Sequence, residues 1–146
     1  MAIKGLTQTS SVVSIGFNAT ETAPNTFNQG SVDLNLSPLD REVFVVLAVN
    51  LDPFTPDSVA GVSTLVRSSV TTTSQTAVQE ISESNWRASA ATTIRMNGAS
   101  IEGASFQTRG LETPPATLEY IGIIATNDFF VQINGTQNLN PKTVNG

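Results

Sequence analysis

The side chains that most often do chemistry are missing. The chain has no His and no Cys. That removes the commonest general base, the commonest transition-metal ligand and the thiolate nucleophile. Carboxylates, hydroxyls, Lys4, Lys142 and five scattered Arg remain. Asp52 and Asp57 flank a loop that contains Pro53 and Pro56. A Ca²⁺ ion takes about 6–8 oxygens, and an EF-type loop spaces them as D-x-D-x-D-G. No such pattern is present, so both Asp read as loop formers. Glu80 with Glu83, and Glu112 with Glu119, are candidate glycosidase pairs. Such a pair must face across a cleft with one pKa raised. Near the start of a helix, acids do ordinary work against the dipole.

The other candidates are equally bland. Trp86, the single Trp, has the shape to stack on a sugar, but it reads as a core anchor. Tyr120 is the remaining candidate for an aromatic platform. Asn18, Asn35 and Asn134 begin glycosylation triplets, which a chain rich in Asn, Ser and Thr produces by chance. Gly98 to Gly110 lacks phosphate-loop spacing and lacks Lys. Lys4 and Lys142 are the possible amines for an isopeptide link to Asn, with no motif to support one. Thr71-Thr72-Thr73 is too short for a repetitive ice-binding face. The expectation is no catalytic, cofactor-binding or metal-binding residue, no cofactor and no enzyme.

Composition points the same way. The net charge is −5 and charged residues are 13% of the chain, against about a quarter in ordinary soluble domains. A neutral Ser/Thr/Asn surface loses little when buried against copies of itself; the alternative is a neutral extracellular surface that resists sticking. Nucleic-acid binding needs clustered cations, and here Lys4, Arg41, Arg67, Arg87, Arg95, Arg109 and Lys142 stand one at a time. Nucleic-acid and membrane partners are not expected. The first ten residues lack the apolar core of a signal peptide, and no run approaches a membrane span. At 146 residues the length suits one domain.

These residues must be positioned by strands. Val12 to Phe17 alternates imperfectly and predicts a strand. Ser31 to Leu36 alternates cleanly. Ser37-Pro38-Leu39-Asp40 reverses the chain. Glu42 to Leu51 is apolar on both faces and predicts the central strand, with Val45, Leu47 and Val49 buried and Leu34 facing Val45 across a hairpin. Asp52 to Asp57 is a loop. Val62 to Thr73 predicts an edge or surface strand. Val78 to Ile94 predicts the one helix, sharpest over Glu83 to Met96, with Trp86, Ala90 and Ile94 repeating at four, Ser82 or Ser84 as cap, and Asn97-Gly98 as stop. Ala99 to Gln107 predicts a short strand, and Thr113-Pro114-Pro115 a break. Leu118 to Ala125 and Phe129 to Ile133 predict a hairpin about Thr126-Asn127-Asp128, ended by Asn134-Gly135. Lys142 to Gly146 adds a short strand. The sum is an all-β chain: an antiparallel β-sandwich or jelly-roll-like barrel with one short helix, a single domain over 1–146 with an extended N-terminal arm of about residues 1–11.

Two segments, Leu39-Asp40-Arg41-Glu42-Val43-Phe44-Val45-Val46 and Tyr120-Ile121-Gly122-Ile123-Ile124-Ala125-Thr126-Asn127-Asp128-Phe129-Phe130, resemble small virion-associated proteins of tailed phages and related viruses from aquatic genomes. The resemblance implies a small capsid, minor capsid or capsid-decorating subunit. It would be made in the host cytoplasm and reside in the virion as a homo-oligomer among copies of itself and other capsid proteins. It carries over no site residues. The competing expectation is a carbohydrate-binding or extracellular filament sandwich, which needs an exposed aromatic platform.

Overall fold

Thr64-Leu65-Val66-Arg67-Ser68-Ser69-Val70-Thr71 contains the β-branched Thr64, Val66, Val70 and Thr71, and in the computed structural model it is the most enclosed strand. The structure describes residues 5–95, 105–111 and 120–146. Among the described residues there are ten strands: β1 Asn18–Thr20, β2 Asn28–Asp33, β3 Phe44–Val46, β4 Asp52–Pro53, β5 Thr64–Thr71, β6 Trp86–Arg95, β7 Ser105–Leu111, β8 Gly122–Ile124, β9 Asp128–Thr136 and β10 Thr143–Asn145. All pairings are antiparallel. They form a five-stranded sheet in the order β2-β9-β5-β6-β7, a three-stranded sheet β1-β10-β4, and the pair β3-β8.

The pairings nest. β1 takes β10, β2 takes β9, β3 takes β8, and β5 with β6 close the innermost hairpin. Nested pairings of this kind fold a ribbon over into the two facing layers of a β-sandwich. The large sheet presents Val66, Val70, Ala88, Ala90, Phe129, Val131 and Ile133 to the interior, and Ala19, Leu51 and Val144 from the small sheet and its flank complete the core with Val46 and Ile124 from the β3-β8 pair. The layers approach closely at β1 over β2, where a Cβ at Gly30 would lie 3.3 Å from the Asn18 carbonyl oxygen. The opposite face of the large sheet is polar. There Gln132 Nε2 donates to Thr71 Oγ1 (2.7 Å) and Gln29 Oε1 (2.9 Å), and Ser69 Oγ donates to Gln132 Oε1 (2.7 Å). Backbone from the segment after β5 seals this network: Gln75 N–H donates to Gln29 Oε1 and Gln79 N–H to Ser69 Oγ.

Several expectations are corrected. No helix occurs among the described residues, and Trp86–Arg95 is strand β6. Spacing by four places side chains on one face of a strand as well as of a helix. What decides is β5 on one side and β7 on the other. A bulge opposite Val70/Thr71, where Ala88 and Trp86 are the partners, leaves Arg87 unpaired and breaks the alternation. The run Glu42 to Leu51 is not the central strand. Only Phe44–Val46 is regular, Val45, Leu47 and Val49 are half-buried, and Ala48 is exposed. The segment predicted as an edge, Val62 to Thr73, holds the central β5, flanked by β9 and β6. Its Ser and Thr are buried because hydroxyls find partners inside the sheet, as Ser69 does with Gln132.

Both predicted hairpins are crossings between sheets. β2 pairs with β9 while β3 pairs with β8, so Leu34 does not face Val45; β8 and β9 likewise lie in different sheets. Turn residues reverse the chain without saying whether the next strand lies beside the last or opposite it. Asn134-Gly135 does not end β9 but sits within it. Val12 to Phe17 is irregular; pairing starts at Phe17, which exchanges two backbone bonds of 3.0 Å with Gly146. Part of the predicted 52–57 loop is strand β4, with Pro53 on an outer position of the small sheet. The β10 strand matches the short strand expected at 142–146. Asn97-Gly98 and Thr113-Pro114-Pro115 lie outside the described residues. So does most of Ala99 to Gln107, of which Ser105–Gln107 begins β7.

Candidate functional site

At one end of the sandwich three irregular segments meet: the residues after β1, the β4–β5 connection, and the β9–β10 connection. Each contributes a polar side chain that its neighbours bury. Glu21, 3% exposed, accepts N–H groups from Thr26 (2.8 Å) and Gly135 (3.1 Å) on Oε2 and from Lys142 (3.1 Å) on Oε1. Its own N–H returns to the Lys142 carbonyl at 2.9 Å. Asn138 Oδ1 accepts the Asp57 N–H (2.9 Å), and its Nδ2 donates to the Leu65 carbonyl (2.9 Å). Asn25 closes the group with a reciprocal pair: Nδ2 to Asn138 O and Asn138 N to Oδ1. That contact needs the left-handed backbone at Asn25 (φ 61°), which Asn tolerates well.

Asp57 and Lys142 are the centre of this knot. Lys142 Nζ lies 2.6 Å from Asp57 Oδ1, with side chains 10% and 20% exposed respectively. Asp57 Oδ2 accepts the N–H groups of Leu139 (2.9 Å) and Asn140 (2.8 Å), and Asn140 Nδ2 stands at 3.3 Å. The Lys142 hydrogen bond, with the two backbone donors, holds the Asp57 carboxyl below the usual carboxylate range against the opposing effect of burial. Read along the chain, Asp57 and Lys142 are unrelated residues. Their separation of 85 residues hides a pairing that no local pattern signals.

The other candidates are dispersed. Asp52 is exposed in β4, opposite Asn145. Glu80 pairs with Arg67 on the polar face, both substantially exposed. Glu83 caps its own turn, near Ser84 and Asn85. Glu112 and Glu119 lie outside the described residues, as does Lys4. Trp86 is half-buried, and its Nε1 is enclosed without a partner. Asn134 is inside β9 with Oδ1 enclosed; Asn18 is exposed in β1, and Asn35 follows β2 with φ 51°. Thr71 serves the Gln132 network. Among the described residues no three carboxylates gather as a metal site. A small cavity of about 290 Å³ on the polar face, beside Arg67, Glu80, Ser89 and Arg95, has no aromatic lining.

A second feature lies between the layers. Residues 5–14 are exposed throughout and run over a cleft of about 1030 Å³ whose floor includes Phe17, Leu34, Phe44, Val46, Ile124 and Phe129. The arm is itself partly apolar: Leu6, Val12 and Val13 are 43%, 76% and 55% exposed. Its side-chain tie to the body is Thr9 Oγ1 to Glu42 Oε1, at 3.5 Å.

No protein-family model, curated protein or solved structure matches this chain.

Proposed function

We propose that the chain is a non-enzymatic structural subunit of a virion shell, a capsid, minor capsid or capsid-decorating protein that works by associating with copies of itself and other shell proteins. The observation that carries this reading is the arm: an exposed, partly apolar segment joined at Phe17 and laid over an open apolar cleft. Exposed apolar groups on a thinly tethered segment are stabilised by a neighbour's surface. Symmetric repetition then multiplies modest contacts. The low charge lowers the desolvation cost of such contacts. Nested jelly-roll pairing is a wrapping that capsid domains use, an analogy of fold alone. In this reading the protein is made in the host cytoplasm and resides in the virion. The carbohydrate-binding alternative gains nothing from the small polar cavity.

The test is size-exclusion chromatography with light scattering on the intact chain and on a form lacking Ala2 to Ser10. The intact chain is expected to show mass rising with concentration, and the truncated form to stay smaller. An intact chain that remains monomeric at every concentration overturns the reading.

A further inference from the structure

We propose that Lys142 and Asp57 condense into an intramolecular amide, locking the C-terminal strand to the β4–β5 connection. The pair supplies both reactants of an acyl transfer from one chain, and two further donors sit on the second carboxylate oxygen. The amine nitrogen contacts Asp57 Oδ1 at 2.6 Å. The other oxygen, Oδ2, receives two converging backbone N–H groups, from Leu139 at 2.9 Å and Asn140 at 2.8 Å. Two donors on one oxygen are what a tetrahedral oxyanion requires. Glu21 and Lys142 exchange backbone bonds, and Asn138 fixes the Asp57 backbone. The reacting groups are therefore held together before reaction, which raises their effective concentration.

The step balances within the pair. The ammonium passes one proton to Oδ1, giving a neutral amine and a neutral carboxylic acid. The nitrogen lone pair attacks Cγ, a C–N bond forms, and the carbonyl π pair moves onto Oδ2 between the two N–H donors. A second proton passes from nitrogen to the Oδ1 hydroxyl. The C–Oδ1 bond breaks, water leaves, and the Oδ2 pair restores the carbonyl. Ammonium and carboxylate become amide and water, with no other reactant. The reaction is favoured by the high effective concentration of the two groups and by release of the water to solvent. The residual exposure of Asp57, 20%, gives the water an exit. The bonds that keep Asp57 ionised make the neutral pair the minor form, so the amide accumulates after folding. This site does not depend on the self-association reading.

The test is the mass of the intact denatured wild-type chain, sampled from the moment of folding over days at neutral pH. The expected result is a growing species one water lighter than the sequence, with a branched peptide joining Asp57 to Lys142 after digestion. Lys142→Arg keeps the cation but supplies no amine, and is expected to hold full mass while its circular dichroism matches wild type. A wild-type chain that keeps full mass throughout overturns the proposal. So does a water loss that persists in Lys142→Arg, or one that maps away from Asp57.

Discussion

Asp57 and Lys142 differ in what each leaves behind when removed. Asp57→Ala strands the Lys142 ammonium and the Leu139 and Asn140 N–H groups in a poorly hydrated place. Leaving those groups unsatisfied is expected to cost about 1–3 kcal/mol. Lys142→Met leaves a carboxylate that still accepts those N–H bonds, and urea unfolding is expected to show a smaller loss than for Asp57→Ala. Equal losses would mean the backbone donors are of no consequence. The pair also has a definite pH dependence while the chain retains its full mass. Because the folded Asp57 carboxyl lies below its ordinary value of 3.8, its contribution is fully present above that pH. It fades as the pH falls through the lower folded value. The melting gap between full-mass wild type and Asp57→Ala should be flat from neutral pH down to about pH 5, then close below about pH 4. A gap that stayed constant on acidification would show that the contact is not ionic. Gly135 belongs to the same knot: a Cβ there would stand 2.7 Å from both Asn138 Nδ2 and Glu21 Oε1. Gly135→Ala is expected to lower stability by roughly 1–3 kcal/mol through overpacking. A neutral effect would show that the knot yields.

At the scale of elements, β5 and β9 carry the fold. Ile133, fully buried in β9, faces Ser68 across the ladder. Ile133→Ala should cost about 2–5 kcal/mol, as core truncations do. Leu47→Ala, at the cleft rim, should cost clearly less, since Leu47 is only half-buried. Denaturant midpoints of the two variants decide this, and a larger loss at Leu47 would restore the Glu42 to Leu51 run as the central strand. That apolar run ends up flanking the cleft because β8 is its short partner. The plainer run Thr64 to Thr71 becomes central because β6 and β9 bind both its edges. Far-UV circular dichroism should accordingly be strand-dominated. A strong helical signal would contradict β6 as a strand.

The whole molecule is a wrapped ribbon with a tied end and a loose end. The polar knot joins the residues after β1, the β4–β5 connection and the approach to β10, so it clamps one end of the small sheet. Among the described residues, the arm over the cleft has no comparable tie. In the proposed reading as a shell subunit, this asymmetry lets one part stay rigid while another finds a neighbour. It predicts that native hydrogen exchange is slowest in β5 and β9, whose ladders are paired on both sides, and fastest in residues 5–14. Protection of the arm that rises with protein concentration would accompany association; protection independent of concentration would mean the arm is held by its own chain.

The all-β class is determined by the sequence itself, since alternation, β-branching and frequent turn residues are local properties. The absence of His and Cys likewise limits the available chemistry whatever the fold. The β10 strand is legible for the same local reason. Partner choice is not. Apolar runs do not say which strand receives neighbours on both edges, and a spacing of four in Trp86, Ala90 and Ile94 suits a strand as well as a helix. Asn134-Gly135 resembles a turn because Gly is read for its backbone freedom, whereas here it is needed for the space that Glu21 and Asn138 occupy. The meeting of Asp57 with Lys142 is decided by tertiary structure alone: ladder pairing between segments far apart in the chain brings them together, and sequence periodicity carries no record of distance through space.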